Sequence, residues 1–269
     1  MNRRRIVCLS ACAALLPHRA LVAAMADDRW AIDFEAAQAV GTLAVLDMRD
    51  GRRQWHVHDR TRAGRRVSPA STFKIAHALI ALQTGVLKDR SEVIAWDGVT
   101  RSIPAWNGDQ DLASAMRHSA VWVFERFAEQ IGLDQEAAWM RTLSYGNARS
   151  GGPQPFWVEG ELAISALEQI DFLVRLYENA LPVARAHQDT VKDVMRLDAG
   201  EQWVLRGKTG WSGTIGWWVG WVERAEGPVF FALNIDTPGR MRDLPKREWI
   251  VRRALGRLGV LPARAQAVE

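Results

Sequence analysis

Residues 202–236 read QWVLRGKTGWSGTIGWWVGWVERAEGPVFFALNID. Three runs rich in Val, Ile, Phe and Trp, 202–211, 216–224 and 229–236, are separated by short Gly-, Ser- and Pro-bearing turns, the pattern of consecutive strands in a meander. The start of the chain carries a matching signal. Residues 41–48 (GTLAVLDM) form an apolar strand, Asp50-Gly51 is a hairpin turn, and 53–59 return as a second strand. Between these ends the pattern is helical: 69–84, 112–131 with an interruption near Ser119, 135–143, 165–177 and 190–197, with further helices at 30–40 and 245–258. Ser165 with Glu168 forms a capping box. Residues 146–160 hold two Pro and four Gly, which marks a long loop. Strands at both ends around a helical middle predict an α+β fold: one antiparallel sheet built from both chain ends, flanked by helices, with an inserted helical lobe over about 85–195. The cleft between sheet and lobe is the natural place for a site.

The first 26 residues read as a signal peptide. Arg3, Arg4 and Arg5 form a basic segment, residues 6–16 an apolar one, and Ala24-Met25-Ala26 a small-x-small cleavage site. The arginines also suit a twin-arginine signal, and Leu9-Ser10-Ala11-Cys12 is similar to a lipoprotein cleavage box, although the apolar run before it is very short. Either route predicts export, to the periplasm. Cleavage removes four Arg (Arg3, Arg4, Arg5, Arg19) and no acid, so 35 basic and 31 acidic residues become 31 and 31. The basic balance therefore belongs to the leader, and nothing argues for nucleic acid. No stretch is long enough to span a bilayer. Both cysteines, Cys8 and Cys12, lie in the leader, so residues 27–269 are cysteine-free and read as a single domain without disulfides.

Within helix 69–84, Ser68 is placed as N-cap and Pro69 at the first helical position. Ser71 and Lys74 are then three apart on one face, with Ser71 in the first turn, where free N–H groups favour a developing negative charge. A hydroxyl beside an amine is a candidate nucleophile with its base. Placed at random, the 11 Ser and 5 Lys of the chain would give about 0.2 such pairs; there is one. Lys208-Thr209-Gly210 ends a strand with a charge, a hydroxyl and a residue that lets a ligand approach the strand edge. Taken singly, Lys208-Thr209-Gly210 is also an ordinary strand end, Ser119-Ala120-Val121 a helix-interior serine, and Trp157-Val158-Glu159-Gly160 an anchored loop.

Together they carry a specific resemblance. Ser-x-x-Lys with a second Ser motif and Lys-Thr-Gly is the signature of active-serine penicillin-recognising enzymes. Ser71-Thr72-Phe73-Lys74, Ser119-Ala120-Val121, Tyr145-Gly146-Asn147, Trp157-Val158-Glu159-Gly160 and Lys208-Thr209-Gly210 resemble the motif set of the class D serine β-lactamases, the oxacillinases. The text around them, including Trp96-Asp97-Gly98-Val99 and Asn234-Ile235-Asp236-Thr237-Pro238, extends the likeness over nearly all of residues 27–269. The resemblance implies a serine β-lactamase/penicillin-binding transpeptidase-like fold and hydrolysis of penicillins and some cephalosporins, giving antibiotic resistance. It implies that Ser71 attacks the lactam carbonyl and that Lys74, carboxylated by carbon dioxide (N6-carboxylysine), is the general base. Trp157 would hold the carbamate and Ser119 relay a proton to the lactam nitrogen. The N–H groups of Ser71 and Trp211 would form the oxyanion hole. Lys208, Thr209 and Arg247 would bind the substrate carboxylate, with Val121 and Gly210 lining the site. No bound cofactor or metal is implied beyond carbon dioxide or bicarbonate for Lys74, and the partners are small-molecule β-lactams, with the protein a monomer or homodimer.

The chemistry agrees with the residues. A lysine amine has a pKa of about 10.4 and is a poor base at neutral pH. An apolar surround made by Phe73, Val121, Trp157 and Val158 would favour its uncharged form, which is the form that reacts with carbon dioxide. One departure stands out: the family usually has Leu where this chain has Val158, and the smaller side chain would admit water to the carbamate. Rival readings are weaker. His56-Val57-His58-Asp59 is similar to the start of a zinc β-lactamase motif, but Arg60 follows where a third His is needed. Glu159 as a deacylation base lacks the Asn that its motif requires, because Ala163 stands there. The alternative from another class is a β-lactam sensor or transpeptidase-like protein, acylated without turnover.

Overall fold

The computed structural model describes residues 28–262; the leader, its two cysteines and the last seven residues lie outside them. The described chain runs α1 (Ala31–Ala36), β1 (Gly41–Asp47), β2 (Gln54–His58), α2 (Arg60–Ala63) and α3 (Lys74–Thr84), then α4 (Leu112–His118), α5 (Val121–Ile131), α6 (Leu133–Thr142), α7 (Ala166–Tyr177) and α8 (Arg185–Val194). It ends with β3 (Arg196–Gly200), β4 (Trp203–Trp211), β5 (Ile215–Glu223), β6 (Val229–Asp236) and α9 (Leu244–Arg257). The six strands form one antiparallel sheet in the order β2-β1-β6-β5-β4-β3, so the two chain ends meet where β1 pairs with β6. This is the α+β arrangement expected.

Side-chain alternation explains why the central strands are apolar throughout. Leu43, Val45, Leu205, Trp218, Val222, Phe231 and Leu233 face α1 and α9, where they pack on Trp30, Phe34, Ile250, Val251 and Leu255. Their neighbours Ala44, Leu46, Trp217, Val219, Trp221, Phe230 and Ala232 face the helices on the other side. In that second layer α3 is the central element, with every residue from Ile75 to Leu82 buried. A helix apolar all round needs such a place. Asp50 (φ 55°) and Gly51 (φ 69°) both take positive φ in the β1–β2 turn, the conformation that suits Asp-Gly there.

Three sequence expectations are corrected. Helix 30–40 is only α1, because Gln38 turns at φ 48° and frees Val40 to accept from the Asp236 N–H beside the sheet. The expected helix at 190–197 is α8 (Arg185–Val194), which starts five residues earlier and ends three earlier than expected; only Gln188 and Val191 of it are buried. The residues after it form β3, an edge strand that was not anticipated. Its sequence RLDAG is exposed on both sides, with only Asp198 half-buried, and it pairs through its backbone with β4.

Candidate active site

Ser71 does not start an ordinary α-helix. Residues Ala70–Phe73 form a 3-10 turn that leads into α3, and Ala70 takes a left-handed φ of 47°. A non-glycine residue there costs on the order of 1 kcal/mol, and strain of this kind gathers at functional sites. The Ser68 cap is also corrected. Its hydroxyl donates to the carbonyls of Trp157 and Val158 at 2.9 and 3.0 Å, and reaches the Ala70 N–H only at 3.4 Å. Its own carbonyl accepts from the Trp217 indole at 2.8 Å. Ser68 thus ties the Trp157 loop and the sheet to the Ser71 turn, a role that its capping propensity hides.

Lys74 is the first residue of α3, and its Nζ donates to Ser71 Oγ at 3.0 Å. The side chain is completely buried. Its Nζ lies 5.1 Å from the ring centre of Phe124 and 6.0 Å from that of Trp157. Burial, followed by the positive charge of Lys208, holds the amine well below the usual lysine range, against a smaller opposing pull from Glu125. Glu125 itself is raised by burial. Burial thus shifts the amine at 74 towards its uncharged, nucleophilic form.

The C-terminal turn of α4 brings in the second serine. Ser119 caps α4 at φ 57°, which breaks 112–131 into α4 and α5, and Val121 opens α5. Lys208 of β4 donates to Ser119 Oγ at 3.0 Å and to the Thr209 carbonyl at 3.0 Å. Burial, and then Arg247, lower its pKa to about 7. Arg247, from the first turns of α9, is lowered to about 10 by burial. It donates to the carbonyls of Leu244 and Gly210, both at 2.8 Å. Strand alternation puts Lys208 and Gly210 on the side of the serines and Thr209 and Trp211 on the side of α9. The Trp211 indole donates to Thr237 Oγ1 at 3.1 Å.

Gly210 is required by close approach. A Cβ there would lie 2.9 Å from the Pro69 carbonyl oxygen and 3.2 Å from the Ser71 nitrogen. The edge of β4 thus packs directly against the Ser71 turn, and the Ser–Lys pair, the Ser119 turn, Lys208-Thr209-Gly210 and Arg247 converge on one cleft. A cavity of about 210 Å³ lies along Gly207, Lys208 and Thr209, with Arg117 and Arg196 on its wall.

Two features describe what the cleft accepts. Three buried or largely buried basic side chains, Lys74, Lys208 and Arg247, are hydrogen-bonded to hydroxyls and carbonyls rather than to carboxylates. Such a site favours anions. Trp157 is fully buried, and its indole N–H has no acceptor. A buried donor without a partner is costly unless something supplies an oxygen. The donor set therefore fits an anionic carbamate on Lys74. Val158 is partly buried against the same core. His56 and His58 pack on the rings of Trp30 and Phe34.

Comparison with known proteins places this geometry. The family described as the penicillin binding protein transpeptidase domain matches residues 41–256. β-Lactamase OXA-3 of Pseudomonas aeruginosa is 53% identical over 234 residues, covering 87% of this chain and 85% of that protein. β-Lactamase OXA-48 of Klebsiella pneumoniae is 41% identical over 214 residues, covering 78% and 80%. The crystal structure of FUS-1 (OXA-85), a class D β-lactamase from Fusobacterium nucleatum subsp. polymorphum, aligns with a TM-score of 0.84 at 33% identity, over 88% of this chain and all of that one. With relatives this similar over most of its length, and with their fold, the chain belongs to the class D β-lactamases of the penicillin-binding transpeptidase superfamily.

Proposed function

We propose that this protein hydrolyses the β-lactam ring of penicillins, in the oxacillin-type manner, and of some cephalosporins through an acyl-enzyme on Ser71. The observation that carries the mechanism is the fully buried Lys74 amine 3.0 Å from Ser71 Oγ, beside a Trp157 indole that lacks an acceptor. Carboxylated by carbon dioxide, Lys74 supplies a general base for both acylation and deacylation. The Ser71 hydroxyl gives up its proton as its oxygen bonds to the lactam carbonyl carbon. The C–N bond then breaks, and the nitrogen takes a proton through Ser119, which Lys208 holds at 3.0 Å. The backbone N–H groups of Ser71 and Trp211 stabilise the oxyanion, a contribution of about 3–4 kcal/mol per donor. Lys208, Thr209 and Arg247 bind the substrate carboxylate, and Gly210 lets β4 lie close against the Ser71 turn. Water then attacks the ester carbonyl, which releases the ring-opened acid and restores Ser71. Trp157 holds the anion on Lys74 by its N–H, and Val121 and Val158 limit water entry.

Export by the N-terminal leader to the periplasm belongs to the same reading, as does action without a metal. It needs no partner other than the substrate, as monomer or homodimer. The sensor or transpeptidase-like alternative has no support among the relatives matched, which are β-lactamases. The test mixes purified protein with a chromogenic cephalosporin and with a penicillin, with and without bicarbonate, and follows turnover and intact mass. Multiple turnover that bicarbonate enhances and Lys74→Ala abolishes is expected. A single stoichiometric burst with a persistent adduct on Ser71 would refute hydrolysis.

A further inference from the structure

Behind the catalytic pair lies a second buried acid–base pair that the mechanism above does not use. His77 is one turn beyond Lys74 on α3, and its Nε2 lies 2.6 Å from Oε1 of Glu136, with both side chains fully buried. Neither ring nitrogen of His77 and neither carboxylate oxygen of Glu136 makes a well-aligned hydrogen bond, so the pair is a close contact with no other polar partner. Glu136 sits in the first turn of α6, where the free N–H groups favour a carboxylate. Among the described residues, only Asp33 and Glu136 are carboxylate residues with no exposure at all. Asp33 meets two arginines at the surface, whereas Glu136 meets a histidine whose other neighbours are the rings around Lys74.

Those neighbours are specific. The His77 ring packs edge-on against Trp157 at 5.2 Å and 64°, and against Phe124 at 5.6 Å. The Lys74 amine lies over these same two rings, 5.1 Å from the centre of Phe124 and 6.0 Å from that of Trp157. Phe73 stacks on His77 at 5.1 Å and Phe127 closes the far side at 6.2 Å. A polar pair in an apolar box adds little to stability over apolar residues of the same size, so placement of the neighbouring rings is what it supplies. The 2.6 Å contact with the Glu136 carboxylate locates the His77 ring and so the surface on which Trp157 rests.

We propose that His77 and Glu136 are positioning residues for the base at Lys74: together they hold the Trp157 indole so that its N–H stays aimed at the oxygen of a carbamate formed there. The proposal rests on the reading of Lys74 as a carboxylated base. It predicts that loss of the pair weakens carbamate retention, whatever it does to stability.

The test measures carbamate occupancy directly, by NMR of the full-length protein titrated with 13C-bicarbonate. Melting temperature is recorded in parallel. Glu136→Gln removes the charge at constant size. The double variant His77→Phe with Glu136→Leu removes all polarity while keeping the box filled, and serves should the single variant fail to fold. Either variant should need about tenfold more bicarbonate for half occupancy, the scale on which outer hydrogen-bond partners act on a charged ligand site. Half occupancy within about twofold of the unaltered protein would overturn the proposal, even with a lowered melting temperature. A missing carbamate signal in the unaltered protein, with Lys74→Ala giving the same spectrum, would instead overturn the base assignment and this proposal with it.

Discussion

Replacing Trp157 by Phe separates the indole N–H from the ring that carries it. The ring is wedged among Phe73 at 5.8 Å, His77 at 5.2 Å and Phe156 at 5.0 Å, so a phenyl group keeps most of the packing. Two effects follow. The lost ring atoms leave a small void, which costs on the order of 1–2 kcal/mol in stability. The lost N–H removes a donor that has no acceptor in the uncarboxylated protein, so in carbon dioxide-free buffer its removal costs nothing further. With a carbamate present the same N–H would make a hydrogen bond to a charged group, worth about 1.5–3 kcal/mol. That converts to a roughly 10- to 150-fold higher bicarbonate concentration for half-maximal turnover. The assay is initial velocity on a penicillin against bicarbonate, together with melting temperature across the same titration. Bicarbonate should raise the melting temperature of the unaltered protein by ligand linkage, and raise that of Trp157→Phe far less at equal concentration. Equal bicarbonate dependence in the two proteins would refute the assignment of this indole as the carbamate's donor.

Other consequences are open to direct measurement. Gly210→Ala sets a Cβ 2.9 Å from the Pro69 carbonyl and should lower kcat at least about 100-fold by pushing β4 from the Ser71 turn, with the melting temperature falling far less than activity. Arg62→Ala leaves the buried Asn234 Oδ1 without its 2.8 Å donor and Asp236 without a two-pronged partner, and should cost about 2–4 kcal/mol in denaturant unfolding. Lys208 titrates at about 7 in the folded chain against about 10.5 unfolded, so the unfolded chain binds the extra proton between those values. Stability without substrate should therefore rise with pH from about 7 towards 9, while KM for an anionic penicillin rises over the same range as the lysine loses its charge. Val158→Leu should slow carbamate loss, read as a longer linear phase of turnover after dilution from bicarbonate; unchanged progress curves would remove the role given to this position.

The legible parts of this protein are those written in short-range spacing. Ser71 and Lys74 lie within one turn of each other, and 3.0 Å between their side chains follows once that turn forms. The strands of 202–236 are legible because a sheet buried on both faces needs continuous apolar runs, and Ser165 with Glu168 marks the start of α7 through a local capping box. The edge strand β3 escaped because it is held chiefly by backbone pairing, with no buried side to leave a pattern. Ser68 was legible as a cap and is in fact a tie to the Trp157 loop, since its carbonyl acceptors come from residues almost ninety positions away.

Sequence by itself determined which groups were available: a serine one turn from a lysine, a second serine, a strand-end lysine and an indole. Only the tertiary structure decided their chemistry. The Lys74 amine is held well below the usual lysine range because α5, the Trp157 loop and Lys208 close around it, and each comes from a different part of the chain. The meeting of His77 with Glu136 is likewise a product of how α3 packs against α6. Burial and charge coupling depend on distances through space, which residue order alone does not encode.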